Sequence, residues 1–191
     1  DTTWSRGLGD VYKRQGVCGK SSLDALEIVK KNKTHASEPK ISKDIIVQSP
    51  DTLREAQSEF SKTGGIHASG LFSTNGKLID LREDVGRHNA VDAIAGNMWI
   101  NDIDSKNKIF YTTGRLTSEM VIKVAQMNIP YLLSRSGITE MGFNVAKETG
   151  VTLLGRAKGK HFLIYNGSEN IIFDEKPRPR SENSPDIWKR R

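Results

Sequence analysis

The sequence predicts an α/β fold in which a three-layer arrangement places helices on both faces of a mixed sheet. Helical and strand patterns alternate along the second half of the chain. Asn75-Gly76 separates two apolar runs and is a strong hairpin signal. Polar residues collect where predicted strands end. With 191 residues, the chain is long enough for one domain with a full core.

The only cysteine, Cys18, lies in the glycine-containing stretch GVCGKSS of residues 16–22. Residues 21–24 form a capping box that predicts an amphipathic helix over residues 21–31. The helix N-terminus and the ammonium of Lys20 both stabilise a thiolate, so we expect the pKa of this thiol to be lowered. A surface cysteine of no consequence is the alternative that these local features leave open.

The remaining elements follow from caps, glycines and hydrophobic periods. Ser49-Pro50 supplies an N-cap and a proline for the first helical position, which predicts a helix to about Lys62, before Gly64-Gly65. The later patterns predict strands at Ile66–Thr74, Lys77–Arg82, Lys108–Thr113, Pro130–Ser134, Val151–Arg156, His161–Tyr165 and Asn170–Phe173. They predict helices at Gly86–Met98, Leu116–Asn128 and Thr139–Thr149.

Half of the net charge of +6 lies at the end of the chain, where six cations oppose three acids from Glu175 to Arg191. We therefore predict a disordered basic tail and no nucleic-acid partner. No apolar run of about eighteen residues occurs, so no membrane partner is predicted. The polar first residues do not resemble a secretory signal, and a single cysteine fits a reducing cytoplasm.

Polar residues recur at three turns that follow predicted strands. Each turn combines glycine, an arginine and either acids or hydroxyls at a helix start, and ligands bind beyond the carboxyl ends of strands in such sheets. The sequence therefore predicts an anion site built from Arg82, Asp84, Arg87, His88 and Asn89 in the first turn, Gly114, Arg115, Ser118 and Glu119 in the second, and Arg135, Ser136 and Thr139 in the third.

Structural roles stay open for several of these residues. Glu83 and Arg87 are four positions apart and could form a surface ion pair. His67 and His88 could each be a hydrogen-bonded structural histidine, and the hydroxyls could be plain helix caps. These roles do not explain why arginine recurs near glycine at all three turns.

The motifs of several enzyme classes are missing. His67 is followed by Ala68-Ser69 in place of the H-x-E of a zinc deaminase, and no P-C-x-x-C occurs. Gly19-Lys20-Ser21 is only the end of a G-x-x-x-x-G-K-[ST] loop, and G-x-S-x-G is absent. We therefore predict no permanently bound metal, and a nucleobase deaminase is improbable.

Several stretches together resemble one known family. They are GVCGKSSLDAL, TGGIHASGLF, REDVGRHNAVD and the long run from Gly114 to Gly167. In this order they resemble the FdhD family, the sulfurtransferase accessory proteins of formate dehydrogenase, over roughly the C-terminal two thirds of a member. The resemblance implies a cytidine deaminase-like fold at residues 16–174. Residues 1–15 do not match the family, and we interpret them as foreign sequence joined at the front. Residues 175–191 form the predicted tail.

The resemblance implies a sulfur carrier. FdhD proteins accept persulfide sulfur from a cysteine desulfurase and pass it to the molybdenum or tungsten bis(molybdopterin guanine dinucleotide) cofactor that formate dehydrogenase requires. Cys18 would carry the sulfur, His67 would join the cofactor-binding residues, and a homodimer is the expected assembly. The family's later cofactor contacts would fall on Arg156, Ala157, Lys158, Gly159, Lys160 and His161.

One position departs from the family pattern. The family usually has C-x-x-C at the cysteine loop, and Gln15 stands where the first cysteine is expected. The persulfide is usually placed on that first cysteine. The resemblance therefore leaves an alternative function, a cofactor-binding chaperone that lacks transfer activity.

Overall fold

The structure, a computed structural model, describes residues 40–173. Its strands are β1 (Ile41–Ser42), β2 (His67–Ser73), β3 (Leu78–Asp84), β4 (Lys108–Thr112), β5 (Tyr131–Ser134), β6 (Thr152–Lys158), β7 (His161–Asn166) and β8 (Ile171–Ile172). Its helices are α1 (Lys43–Ala56), α2 (Glu59–Thr63), α3 (Arg87–Ile100), α4 (Ser118–Gln126) and α5 (Glu140–Thr149). Cys18, the helix predicted over residues 21–31, the segment 1–15 and the tail lie outside the described residues.

Six strands form one mixed sheet in the order β3-β2-β4-β5-β6-β7. The predicted hairpin at Asn75-Gly76 is confirmed, with Gly76 in the left-handed region at φ 87°. Strands β4, β5 and β6 run parallel, and β3 points the same way because two antiparallel steps separate it from β4. We call the side of the sheet where these four strands end the carboxyl edge. The last predicted strand, β8, instead pairs with β1 in a separate parallel ladder.

The core has two halves, one on each face of the sheet. Phe110 and Leu132 contribute to the half that also contains apolar residues of α3, α4 and α5. Their neighbours Tyr111 and Leu133 contribute to the other half, which α1 covers with Ile46 and Leu53 among others. Successive strand residues point to opposite faces, so both faces need an apolar cover. The predicted three-layer α/β architecture is confirmed, while its cytidine deaminase-like label stays a prediction.

The predicted start of a helix at Ser49-Pro50 is wrong. Helix α1 begins at Lys43, capped by the Ser42 hydroxyl, which accepts a hydrogen bond from the Asp44 N–H at 3.2 Å, and Pro50 lies inside it. Serine followed by proline is also the pattern of a helix start. The helix continues through the proline because its apolar side is buried against the sheet, and the Ser49 hydroxyl donates to the Ile45 carbonyl at 2.6 Å.

Glu83 joins the sheet to α2. Its carboxylate accepts hydrogen bonds from the backbone N–H groups of Ser58, Glu59 and Phe60, each at 2.9 Å. Burial alone would raise the pKa of Glu83, but these donors and the Gln57 amide outweigh it and hold the pKa below its usual value. The carboxylate therefore caps the start of α2 instead of forming the ion pair with Arg87 that the spacing allowed.

We expect Glu83→Gln to lower the free energy of unfolding at pH 7 by about 1 kcal/mol, the usual value of a lost helix cap. Because the folded pKa is lowered, this stabilisation is complete above about pH 4.3 and is lost as the pH falls through the folded value. Urea unfolding of the full chain between pH 7 and pH 3 measures the deficit, which shrinks in acid. Glu55→Gln, on the exposed side of α1, is the control, and an equal deficit in both variants would contradict the capping role.

Candidate anion-binding site

The carboxyl edge brings together the turns that the sequence singled out. In the β2–β3 pairing, His67 at the start of β2 lies opposite Asp84 at the end of β3. In the β4–β5 pairing, Thr112 lies opposite Ser134. The β6–β7 hairpin adds residues 156–161 at the same edge, since Leu154 pairs with Leu133 one residue before β5 ends. The polar residues of four separate chain segments therefore share one surface.

Hydroxyl groups tie the second turn to the third. The Ser134 hydroxyl donates to the Gly114 carbonyl at 2.6 Å, and the Ser136 hydroxyl donates to the Thr113 carbonyl at 2.8 Å. Helix α5 also approaches closely, because a Cβ at Gly142 would lie 2.6 Å from the Leu116 carbonyl oxygen. These contacts fix the backbone that carries the arginines of both turns.

The first turn uses its polar groups largely for its own structure. Asp84 Oδ1 accepts hydrogen bonds from the Gly86 N–H at 2.7 Å and from Asn89 Nδ2 at 3.0 Å. Arg82 pairs with Asp80 at 3.1 Å, two residues further from the edge. The structure therefore gives Asp84 and Asn89 a turn-forming role and does not bring the Arg82 side chain to the other candidates.

Arg87 connects the first turn to the second. Its side chain lies against Gly114, where a Cβ would be 2.9 Å from the Arg87 Cβ and 3.0 Å from its Cδ. The Arg87 Nε is buried and has no hydrogen-bond partner among the described residues. A side chain at position 114 would displace this arginine, which accounts for the glycine there.

The histidines make weak polar contacts. His67 Nδ1 lies 3.4 Å from the Thr113 hydroxyl, which also accepts a hydrogen bond from the Ala68 N–H at 3.0 Å. His88 Nε2 lies 3.5 Å from Glu119 Oε2. Burial lowers the pKa of His88, nearby Arg87 and Lys123 lower it further, and the acids only partly oppose them. His88 is therefore a neutral imidazole at pH 7, able to donate and to accept hydrogen bonds.

Lys123 is a buried lysine that pairs with the exposed Asp92 and so joins α4 to α3 beneath the site. Its ammonium lies 2.6 Å from Asp92 Oδ2, and its side chain is only 3% exposed. Thr139 also has a structural role, because its hydroxyl accepts a hydrogen bond from the Gly142 N–H at 3.2 Å and caps α5. Ser118, the first residue of α4, is half-buried, and the N-cap residue before it, Thr117, makes no side-chain cap.

Five exposed cations remain at the carboxyl edge without an ion pair among the described residues. The backbone of Arg156 holds a left-handed conformation at φ 53°, and its N–H donates to the Ser136 carbonyl at 2.9 Å. His161 is exposed beside them, and Gly159 forms the turn at φ 55°. The cations are Arg115, Arg135, Arg156, Lys158 and Lys160. Because their charges are uncompensated, this surface favours a polyanionic ligand.

The sequence missed a part of the site that α1 supplies. A cleft of about 100 Å³ lies between α1 and the strand ends, and its lining includes Arg54, Tyr111 and Thr113 beside the predicted Arg135 and Lys158. Correct placement of Ser42 as the cap would have revealed α1. No local pattern could show that Arg54 faces the ends of β4 and β6, because that depends on how α1 crosses the sheet.

Residues 40–173 hold no group of three or more His, Cys, Asp or Glu side chains positioned to bind a metal ion. None of their helices has both the length and the apolar character that a membrane crossing requires.

Replacing Glu119 tests the contact with His88. Glu119→Gln removes a charge that raises the pKa of His88, so we expect that pKa to fall further below its usual value of about 6.5. An NMR titration of the histidine ring in the full chain measures it, with Glu140→Gln at the start of α5 as the control. An unchanged or raised pKa in Glu119→Gln would show that the 3.5 Å contact has no electrostatic effect.

Known proteins are similar to this chain in both sequence and fold. The chain matches the model of the FdhD/NarQ family over residues 8–172, which includes residues before Gly16. It is 41% identical over 157 residues to the sulfur carrier protein FdhD of Saccharolobus solfataricus, covering 82% of this chain and 59% of the relative. It is 36% identical over 158 residues to the same-named protein of Streptomyces coelicolor, covering 82% of this chain and 56% of the relative.

A solved structure agrees with these matches. A formate dehydrogenase accessory protein from Desulfotalea psychrophila superposes with a TM-score of 0.67 and 33% identity, covering 71% of this chain and 58% of that chain. The chain spans about three fifths of the length of the curated relatives it matches. Because the family match extends over most of the chain and a solved structure that is 33% identical shares its fold, the chain belongs to the FdhD/NarQ family.

Proposed function

We propose that this chain is part of a cytoplasmic sulfurtransferase that serves formate dehydrogenase. Cys18 accepts sulfur from a cysteine desulfurase, and the carboxyl edge binds the molybdenum or tungsten bis(molybdopterin guanine dinucleotide) cofactor as cargo. The observation that carries the proposal is the group of five exposed cations at the ends of β4, β5 and β6, none of which has an ion pair within residues 40–173. A homodimer is the proposed assembly, since it would present two such surfaces to a cofactor with two dinucleotide arms.

The sulfur moves by thiol exchange. The Cys18 thiolate attacks the outer sulfur of the donor's persulfide, the donor's S–S bond breaks, and the donor cysteine leaves as a thiolate. On delivery, the S–S bond of the Cys18 persulfide breaks and Cys18 is left as a thiolate. The outer sulfur becomes the sulfide ligand of the metal, and the electron pair for this step comes from the reduced metal ion.

The residues at the carboxyl edge suit the cargo's pyrophosphate groups. Arginine binds phosphate oxygens with paired, charge-assisted hydrogen bonds, and lysine adds a point charge. Arg115 and Arg135 sit on turns whose backbone is fixed by the hydroxyls of Ser134 and Ser136. The backbone that carries both arginines therefore needs little reordering when an anion binds, which favours affinity.

Gln15 favours a second candidate function. A chain with glutamine where its family has the first cysteine could retain the cation surface and lose the transfer chemistry. In that case the protein is a cofactor-binding chaperone. Both functions use the carboxyl edge, and they differ only in whether Cys18 carries sulfur.

Nucleotide affinity tests the binding surface. We expect the chain to bind GDP, with an affinity that falls as salt is added because the contacts are charged. Arg115→Ala and Arg135→Ala should each weaken binding by about 1–3 kcal/mol, the value of a hydrogen bond to a charged group. Calorimetry measures both, and Lys77→Ala, at the opposite end of the sheet, is the control for loss of one charge. Unchanged affinity in both arginine variants would remove them from the site.

Mass spectrometry tests the sulfur carrier. Incubation of the chain with a cysteine desulfurase and cysteine should add one sulfur atom, about 32 Da, to Cys18, and Cys18→Ser should abolish the adduct. The thiol should also alkylate readily at neutral pH.

The variant Gln15→Cys distinguishes the two candidate functions, sulfurtransferase and cofactor-binding chaperone. Restoring this cysteine should increase sulfur loading if Gln15 is a loss or an artefact of the sequence. If Gln15→Cys loads sulfur and the present chain shows no adduct on Cys18, then Cys18 alone is not the carrier and the chaperone function is the correct one.

A further inference from the structure

We propose that Asn75 is a site of spontaneous deamidation, at which Gly76 attacks the side-chain amide with the help of the Ser73 hydroxyl. The product is aspartate or isoaspartate, and the reaction needs only water and the protein's own groups. The site is the turn between β2 and β3, at the end of the sheet opposite the carboxyl edge. The inference therefore does not depend on the proposed function.

The chemistry follows from the Asn-Gly pair. The Gly76 N–H gives its proton to hydroxide, and the nitrogen forms a bond to Asn75 Cγ. The Cγ–Nδ2 bond breaks, and the amide nitrogen leaves as ammonia with a proton taken from water. Water then opens the five-membered succinimide at one of its two carbonyls, and nothing is oxidised or reduced. Glycine favours the attack because it has no Cβ to block the approach of its nitrogen.

The amide of Asn75 is exposed and is held only through its oxygen. Its Nδ2 donates no hydrogen bond among the described residues. Its Oδ1 accepts hydrogen bonds from the Ser73 hydroxyl and, at 3.4 Å, from the Lys77 N–H. The attack places negative charge on this oxygen, and donors that already point at it stabilise that charge as an oxyanion hole does. The leaving nitrogen therefore has no bond to break except the one to Cγ.

One hydrogen bond opposes the reaction. The Gly76 N–H donates to the Ser73 carbonyl at 2.9 Å, so this bond has to open before the nitrogen attacks. The turn is the tip of a hairpin, and exposed tips open locally at a small part of the global free energy of unfolding. The space around Gly76 allows this, because a Cβ there would lie 3.6 Å from its nearest neighbour, the Ile45 side chain.

The chain contains a second Asn-Gly pair, whose surroundings protect it. Asn166 Nδ2 donates to the Val151 and Ala146 carbonyls at 2.8 and 3.3 Å, so the leaving group is anchored. Gly167 is closely packed, since a Cβ there would lie 2.5 Å from a side-chain oxygen of β6. The same dipeptide is therefore open to reaction at Asn75 and held away from it at Asn166.

Peptide mapping of the full chain tests the site, because trypsin releases the two pairs in separate peptides, residues 63–77 and 161–180. The folded chain is kept in mildly alkaline buffer, and chromatography with mass spectrometry follows the conversion of each amide to aspartate and isoaspartate. Two hydrogen bonds must break at Asn166, so we expect Asn75 to react at least about tenfold faster. In guanidinium chloride, which unfolds the chain, the two rates should become similar.

The variant Ser73→Ala tests the hydroxyl. We expect the rate at Asn75 to fall by about threefold, as for the loss of one hydrogen bond to the developing charge. Ser61→Ala removes a hydroxyl from α2, where it donates to the Gln57 carbonyl at 2.9 Å, and should leave both rates unchanged.

Three results would overturn the inference. Equal rates at Asn75 and Asn166 in the folded chain would show that the structure does not select between the two pairs. Reaction at Asn75 only in guanidinium chloride would show that the Gly76 hydrogen bond protects the folded turn. A rate in Ser73→Ala that equals or exceeds that of the unaltered chain would remove the hydroxyl from the reaction. None of these measurements involves nucleotide or sulfur, so the proposed function stands or fails separately.

Discussion

The parallel register of β4, β5 and β6 is the constraint on which the rest of the structure depends. It makes these three strands end at one edge of the sheet. Strand β3, the hairpin partner of β2, ends at the same edge. Segments far apart in the chain therefore place their turns side by side. Parallel strands need covered faces, which explains why buried helices lie on both sides and leave the edge as the accessible surface for a ligand.

Concentrating cations at one edge has a physical cost, and the surrounding structure offsets it. Exposed like charges repel one another, so the turns that carry them must be fixed by other interactions. Hydroxyl-to-carbonyl hydrogen bonds from Ser134 and Ser136 do this for the second and third turns. The ion pair between Lys123 and Asp92 and the capping carboxylate of Glu83 hold the helices around the first turn. The carboxylates of Glu83, Asp84 and Asp92 are thereby used in structural contacts, while Arg115, Arg135 and Arg156 have no ion pair among the described residues.

The departures from expectation share one origin, which is that local patterns have more than one structural use. Ser49-Pro50 fits a helix start, yet the burial of Ile46 and Leu53 carries α1 through it. Glu83 has the spacing of a helical ion pair with Arg87, yet its carboxylate meets the N-terminus of α2, more than twenty residues earlier in the chain. Arg82 belongs to a cation-rich motif, but strand side chains alternate between the two faces of the sheet. Arg82 therefore shares a face with Asp80, two residues away, and pairs with it.

The sequence by itself determined the α/β architecture, the hairpin, the helices α3, α4 and α5 and the polar turns, because these depend on periodicity, caps and glycines within short windows. It also carried the family resemblance. Only the tertiary structure decided that α1 contributes Arg54 to a cleft, that Tyr111 supports the β6–β7 hairpin and that Arg87 lies over Gly114. Each of these contacts joins residues from different elements, and their separation in the chain leaves no local signal from which to predict them.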